Sequence, residues 1–330
     1  MKSMRSLGVV FASLGCLGIV PVAHAARPAN DLNGDGRSDV LWSNVSTGAN
    51  AIWYAANHAT AQALARVSGG WYVAGEGDFD GDGHADIFWR NANSGANVIW
   101  RSGNYATPQA VATVINYFWK VAAVGDFNGD GKADLFWRNE SSGANAIWLS
   151  ANASTPLVTI AVPDQAWHVE RTGDFDGDRR TDLFWRNGLT GANVIWRSAD
   201  HAAPLAVPTV ADPYWQPVAS GDFNGDGRAD VFWRRWGTGE TVIWLSANHA
   251  TAVREATVSD MHWTVVGSGD FDGDGKADVF WRNLGTANGP GTGANVIWRS
   301  GSASTPLAVA TVPDLNWMVM PYEGTLGIFF

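Results

Sequence analysis

From residue 31 to about 322 the chain repeats one order of apolar runs and polar interruptions six times. A run ending in Trp, such as Ile87-Phe88-Trp89-Arg90, leads through a polar turn into a second run, Val98-Ile99-Trp100. A third run, Ala110 to Val114, follows a connection with Ser, Thr or Pro, and a fourth is centred on Trp119-Lys120-Val121. The runs are short, β-branched and aromatic, punctuated by Gly, Asn and Pro, and lack helical periodicity, so each unit predicts four strands. Four strands in a unit of about 40 to 50 residues is the size of one propeller blade. The expected fold is all-β: a six-bladed β-propeller of about 48-residue, four-stranded blades, forming a single domain over residues 26–330.

Between the fourth run of one unit and the first run of the next lies an acidic loop, D-x-[DN]-x-D-[GR]-x-x-D, starting at Asp31, Asp78, Asp126, Asp174, Asp222 and Asp270. The first unit opens at its loop without the preceding Trp-x-Val run, while Asn316-Trp317-Met318-Val319 stands alone at the other end. That orphan run is expected to complete the first blade and remove a sheet edge. A second period lies inside the first. Loops one, three and five have Asn at the third position (Asn33, Asn128, Asn224), and loops two, four and six have Asp (Asp80, Asp176, Asp272). Three copies of a two-blade unit favour six blades over seven. The extra residues around Thr286 to Gly291 in the sixth unit suit a surface loop.

Composition adds a compartment. Residues 1–25 place Lys2 and Arg5 ahead of an apolar run and end in Ala23-His24-Ala25, the form of a cleaved signal peptide. The protein is therefore expected to be secreted or periplasmic, with no membrane span after cleavage. Cys16, the sole cysteine, leaves with the leader, so no disulfide fastens the exported chain. Beyond residue 25 there are 20 basic and 32 acidic residues, a net charge of −12, and 21 of those acids lie in the loops. No basic stripe is present, which excludes nucleic acid as a partner.

Acidic side chains at alternate positions suit calcium, which takes six to eight oxygens in a flexible cage. Positions 1, 3, 5 and 9 supply side-chain oxygens and position 7 its carbonyl. The candidate ligands are Asp31, Asn33, Asp35, Arg37 and Asp39; Asp78, Asp80, Asp82, His84 and Asp86; Asp126, Asn128, Asp130, Lys132 and Asp134 in the first half. The second half supplies Asp174, Asp176, Asp178, Arg180 and Asp182; Asp222, Asn224, Asp226, Arg228 and Asp230; Asp270, Asp272, Asp274, Lys276 and Asp278. Up to six calcium ions would bring the net charge near zero. Even loops carry four carboxylates against three in odd ones and are expected to bind more tightly, except the fourth, where Arg179 replaces a glycine. An EF-hand is excluded because Trp89 and Trp137 stand where its Glu would be, and the nonapeptide array of RTX proteins because 48 residues separate the loops.

Gly125-Asp126-Phe127-Asn128-Gly129-Asp130-Gly131-Lys132-Ala133-Asp134 and its five relatives resemble the FG-GAP/VCBS repeat family, whose best-known members form the β-propeller of integrin α chains. The resemblance spans residues 31 to about 322 and implies a propeller with calcium at the loops between strands, on the positions named above. Arg179 departs from it, and no FG-GAP peptide is present. The family includes adhesion proteins, bacterial lectins and accessory domains of polysaccharide-active enzymes, so the fold alone leaves function open.

Eighteen of the nineteen tryptophans fall three to a unit, and Trp236 is the extra. Most suit packing between blades. The candidates for sugar stacking, with arginines as hydrogen-bond donors, are Trp89, Arg90, Trp100, Arg101, Trp185, Arg186, Trp196, Arg197, Trp281, Arg282, Trp298 and Arg299. No histidine spacing suggests zinc or a triad, and the candidate breaks in the repeat, Trp236 and the insertion in the sixth unit, suit loop variation rather than a catalytic site. The sequence thus points to a non-enzymatic recognition or adhesion module whose partner is an extracellular glycan or a cell-surface protein. A secreted polysaccharide-active enzyme and a purely structural scaffold are the alternatives.

Overall fold

The computed structural model describes residues 30–286 and 289–320; the expected leader, residues 1–25, lies outside them. The described chain forms six four-stranded antiparallel blades in a ring. In the second blade the strands are Trp71–Gly77, Asp86–Asn91, Asn97–Trp100 and Gln109–Val111, from the axis outward. The first strand pairs on one side only within its sheet and touches the first strands of neighbouring blades. The last is short and exposed. Each complete innermost strand carries one register shift, as between Val73 and Gly75. Such a bulge bends and twists the strand locally.

The second strand explains why its sequence is apolar throughout. Asp86–Asn91 is buried at every residue, because each of its faces meets another blade. The six apolar cores accordingly lie between blades. Phe88 and Ile99 of the second blade, for example, join Leu135 and Trp137 of the third. Within a blade, paired tryptophans pack 4.7 to 4.8 Å apart, as Trp89 on Trp100. Across an interface Phe88 meets Trp137 edge-on at 6.4 Å.

Closure follows the expected route. Trp317–Met320 pairs antiparallel with Val40–Asn44, in the register Leu41 to Met320 and Asn44 to Trp317. A second closure runs through the acidic loops. The eighth-position N–H of each loop donates to the first-position carbonyl of the loop before it, as Ala85 to Asp31 and Ala133 to Asp78, both at 2.7 Å. Ser38 completes the circle on Asp270 at 2.7 Å. Six such bonds, each between adjacent blades, leave no place for a seventh blade.

Two local features go beyond the sequence reading. Among the extra residues of the sixth unit, Gly285–Thr286 pairs with Gly289–Pro290 as a small ladder. Each third strand also runs into a one-turn 3-10 segment, such as Arg101–Gly103, whose middle residue is left-handed although it is never glycine. Ala55, Ser102, Ser150, Ser198, Ser246 and Ser300 have φ of 46° to 50° there.

Candidate metal centre and channel face

Five acidic loops join the innermost strand of a blade to the second and the first leads into Val40–Asn44, and hydrogen bonds from loop to loop gather all six at one end of the ring. Glycines at positions 4 and 6 make the curl with φ between 75° and 92°. Arg179 takes the same left-handed conformation with a side chain, at φ 69°. In the second loop Asp78 accepts from the N–H groups of Gly81 at 2.6 Å and Gly83 at 2.8 Å, and Asp82 from His84 at 2.8 Å. Asp86, fully buried, accepts from Phe79 at 3.0 Å and from Ser102 at 2.9 Å. The ninth-position aspartate therefore ties the loop to the strained turn at the end of the third strand. The same bond recurs at Asp39, Asp134, Asp182, Asp230 and Asp278. That anchoring outweighs the cost of a left-handed non-glycine residue, roughly 1 kcal/mol.

Among the described residues, carboxylate oxygens converge in three places. Asp78 with Asp80 and Asp86, Asp174 with Asp176 and Asp182, and Asp270 with Asp272 and Asp278 each bring three within 4.8 Å of one another. These are the even loops, as the extra aspartate dictates; in odd loops the third position is Asn33, Asn128 or Asn224, whose Oδ1 accepts from the fifth-position N–H. Burial pushes the carboxyls of Asp39, Asp182, Asp230 and Asp278 up to about 7 and those of Asp86 and Asp134 up to about 6, against the pull of their backbone N–H donors. An all-oxygen donor set with a buried carboxylate is chemically fitted to a hard divalent cation. The seventh-position side chains reach the loop before: a β-carbon on Gly81 would meet Lys132 Cε at 3.1 Å.

The stacking candidates need correction. Trp89, Trp185 and Trp281 are almost wholly buried between blades, and Trp100, Trp196 and Trp298 pack beneath them. Arg90, Arg186 and Arg282 are buried as well and act as clips between blades. Arg186 lies 5.3 Å from the centre of the Trp233 ring of the next blade and donates to the carbonyls of Gly191, Val210 and Trp215 and to Asn193 Oδ1. The reason is that a strand ending between two sheets delivers its last long side chain into the interface rather than to solvent. Of the twelve, Arg101, Arg197 and Arg299 retain substantial solvent exposure, and they point at loop aspartates.

At the opposite end of the innermost strands, about 20 Å from the loops by strand rise, lies a set not singled out from the sequence. Trp71, Trp119, Trp167, Trp215, Trp263 and Trp317 open those strands and are half-buried, each with one side on an inter-blade core. Beside them Phe118 and Tyr214 are 57 % and 58 % exposed, and Tyr72 follows Trp71 at 37 %. In the same strands Glu76, Glu170 and Arg171 stand where other units have small or apolar residues. In the sequence Glu76, Glu170 and Arg171 are departures from the repeat inside otherwise apolar fourth runs.

The FG-GAP-like repeat model matches residues 31–89, 78–137, 126–185, 174–233 and 222–281. An RtxA repeat model matches residues 293–304, which cover a third strand and contain no aspartate. No curated protein matches. Among solved structures, the ring resembles a chain of a nidogen/laminin complex at 10% identity, covering 85% of this chain and 95% of that one with a TM-score of 0.54. It also resembles an Agrocybe aegerita lectin described as specifically recognising non-reducing terminal N-acetylglucosamine, at 14% identity, 84% and 90% coverage and a TM-score of 0.51. Identities this low report the fold alone.

Proposed function

Because the chain belongs to the FG-GAP-like repeat family, matched from residue 31 to residue 281, we propose that it is an exported, calcium-fastened recognition module without catalytic activity. Calcium at the six loops supplies the cross-links that disulfides provide in other exported proteins. The ligand face is the opposite end of the ring, and the observation that carries this reading is the rim of half-exposed tryptophans with Phe118, Tyr214 and Tyr72 around it. Exposed aromatic faces beside polar groups suit sugar rings, and several weak equivalent contacts gain by avidity. A glycan is therefore the most specific form of the proposed partner, with a cell-surface protein as the broader one. Two propeller likenesses, a lectin and a component of a laminin complex, are compatible with either.

A glycan array read with calcium and with EGTA tests this reading. Binding that needs calcium and weakens in Phe118→Ala and Tyr214→Ala supports it; absence of binding to every sugar sinks the glycan form. One observation favours a second reading. Glu76, Glu170 and Arg171 are non-repeated titratable residues on the innermost strands, where a propeller enzyme would carry its chemistry. Polysaccharide turnover lost in Glu170→Gln would replace the recognition module with an enzyme.

A further inference from the structure

The third loop position decides more than a ligand count. In odd loops the Asn33, Asn128 and Asn224 amides donate to the fifth-position carboxylates at 3.0 to 3.1 Å, so the third position carries no charge. In even loops it is a carboxylate, and in those blades alone the residue after the third strand is arginine: Arg101, Arg197 and Arg299, against Tyr54, Leu149 and Leu245 in odd blades. Arg101 Nη1 lies 3.2 Å from Asp80 Oδ2 and 2.8 Å from Asp86 Oδ2. Arg197 Nη1 lies 3.7 Å from Asp176 Oδ2, and Arg299 Nη1 3.8 Å from Asp272 Oδ2.

Each guanidinium is held from its other side. Arg101 Nε donates to Gln109 Oε1, Arg197 Nε to the Ala203 carbonyl and Arg299 Nε to the Thr305 carbonyl, all at 3.0 Å. The chain that follows thus holds the positive end toward the loop from the side away from the aspartate. Asp and Arg occur together three times, and Asn with an uncharged residue three times.

We infer that these arginines are built-in counter-cations, which cancel the fourth carboxylate of the even loops and set their calcium affinity level with that of the odd loops. The loop charge facing an ion is three negative units in every blade: three carboxylates in odd loops, four less one guanidinium in even ones. A cation fixed within several ångströms of a divalent ion opposes its binding by Coulomb repulsion, worth on the order of a tenfold change in affinity at high effective dielectric. The greater carboxylate count of the even loops therefore brings no tighter binding.

The inference rests on the calcium reading, and calorimetric calcium titration of the full chain after chelation separates the two. In wild-type protein no tighter class of three sites is expected. Arg101→Leu, Arg197→Leu and Arg299→Leu together install the odd-blade residue and tighten three sites by about tenfold. Asp80→Asn, Asp176→Asn and Asp272→Asn together weaken three sites by a similar factor, and the six changes combined return them to the wild-type level. Leucine fills the arginine slot in two of the three odd blades and asparagine the third loop position in all three, so the variants retain a known packing. The inference is overturned if the leucine variant binds no more tightly, or if wild type already shows a tighter class of three. A wild-type chain that takes up no calcium overturns the calcium reading itself.

Discussion

Replacing Arg186 by alanine is the most direct test of how the blades hold together. The side chain is 2 % exposed, donates to four oxygens at 3.0 to 3.2 Å, and covers the Trp233 ring of the next blade. Its removal takes one donor from the carbonyls of Gly191, Val210 and Trp215, of which Gly191 keeps the Val210 N–H, and empties an interface built around the guanidinium. A hydrogen bond to a charged group contributes about 1.5 to 3 kcal/mol and a desolvated cation–π contact about 2 kcal/mol, whereas burial of the cation, which also lowers its pKa, works against both. Alanine removes the charge together with its contacts and leaves no ion unpaired, so a net loss of about 2 to 3 kcal/mol is expected. Equilibrium urea unfolding in the presence of EDTA measures it, with Arg197→Ala as a comparator: that side chain is 45 % exposed and its loss should move the midpoint little. The first blade supplies an internal contrast, since Ser43 stands in the arginine slot and Asn50 Oδ1 is buried without a partner. If Arg186→Ala costs less than about 1 kcal/mol, the clip is ornamental and the aromatic packing alone joins the blades.

Three further outcomes follow from single features. Arg179→Gly should stabilise the fourth loop by about 1 kcal/mol, because the residue is left-handed and its N–H bond to Asp174 survives the change; a lowered melting temperature would show that the side chain contributes more than its strain costs. The buried ninth-position carboxyls, raised to about 6 to 7 from 3.8, hold protons in the ion-free fold that the unfolded chain releases. Their contribution is therefore present below about pH 4 and is lost as pH rises toward 7. Chelated protein should melt progressively lower across that window, while added calcium should stabilise most above it; thermal scans from pH 4 to 8 with and without calcium would reveal the opposite trend if the carboxyls were already ionised. Val319→Asp, placed in the core between the sixth and first blades, should open the ring at its closure and broaden the unfolding transition, and an unchanged transition would mean that the loop hydrogen bonds close the ring unaided.

The sequence by itself determined the blade, its number and its closure. Apolar runs ending in Trp, glycine-led acidic loops and an orphan strand after Asn316 are local facts of spacing, and a propeller repeats one local solution six times. It could not show which tryptophans face solvent, because Trp89 and Trp119 read alike along the chain although one is almost wholly buried between blades and the other opens an innermost strand and is half-buried. Nor could it assign Arg90 and Arg101, eleven residues apart in one blade, to an inter-blade clip and a loop counter-charge. Those roles depend on which sheet packs against which. Side-chain burial in a propeller is set by the neighbouring blade, about 48 residues away in sequence, and only the closed ring brings that neighbour into place.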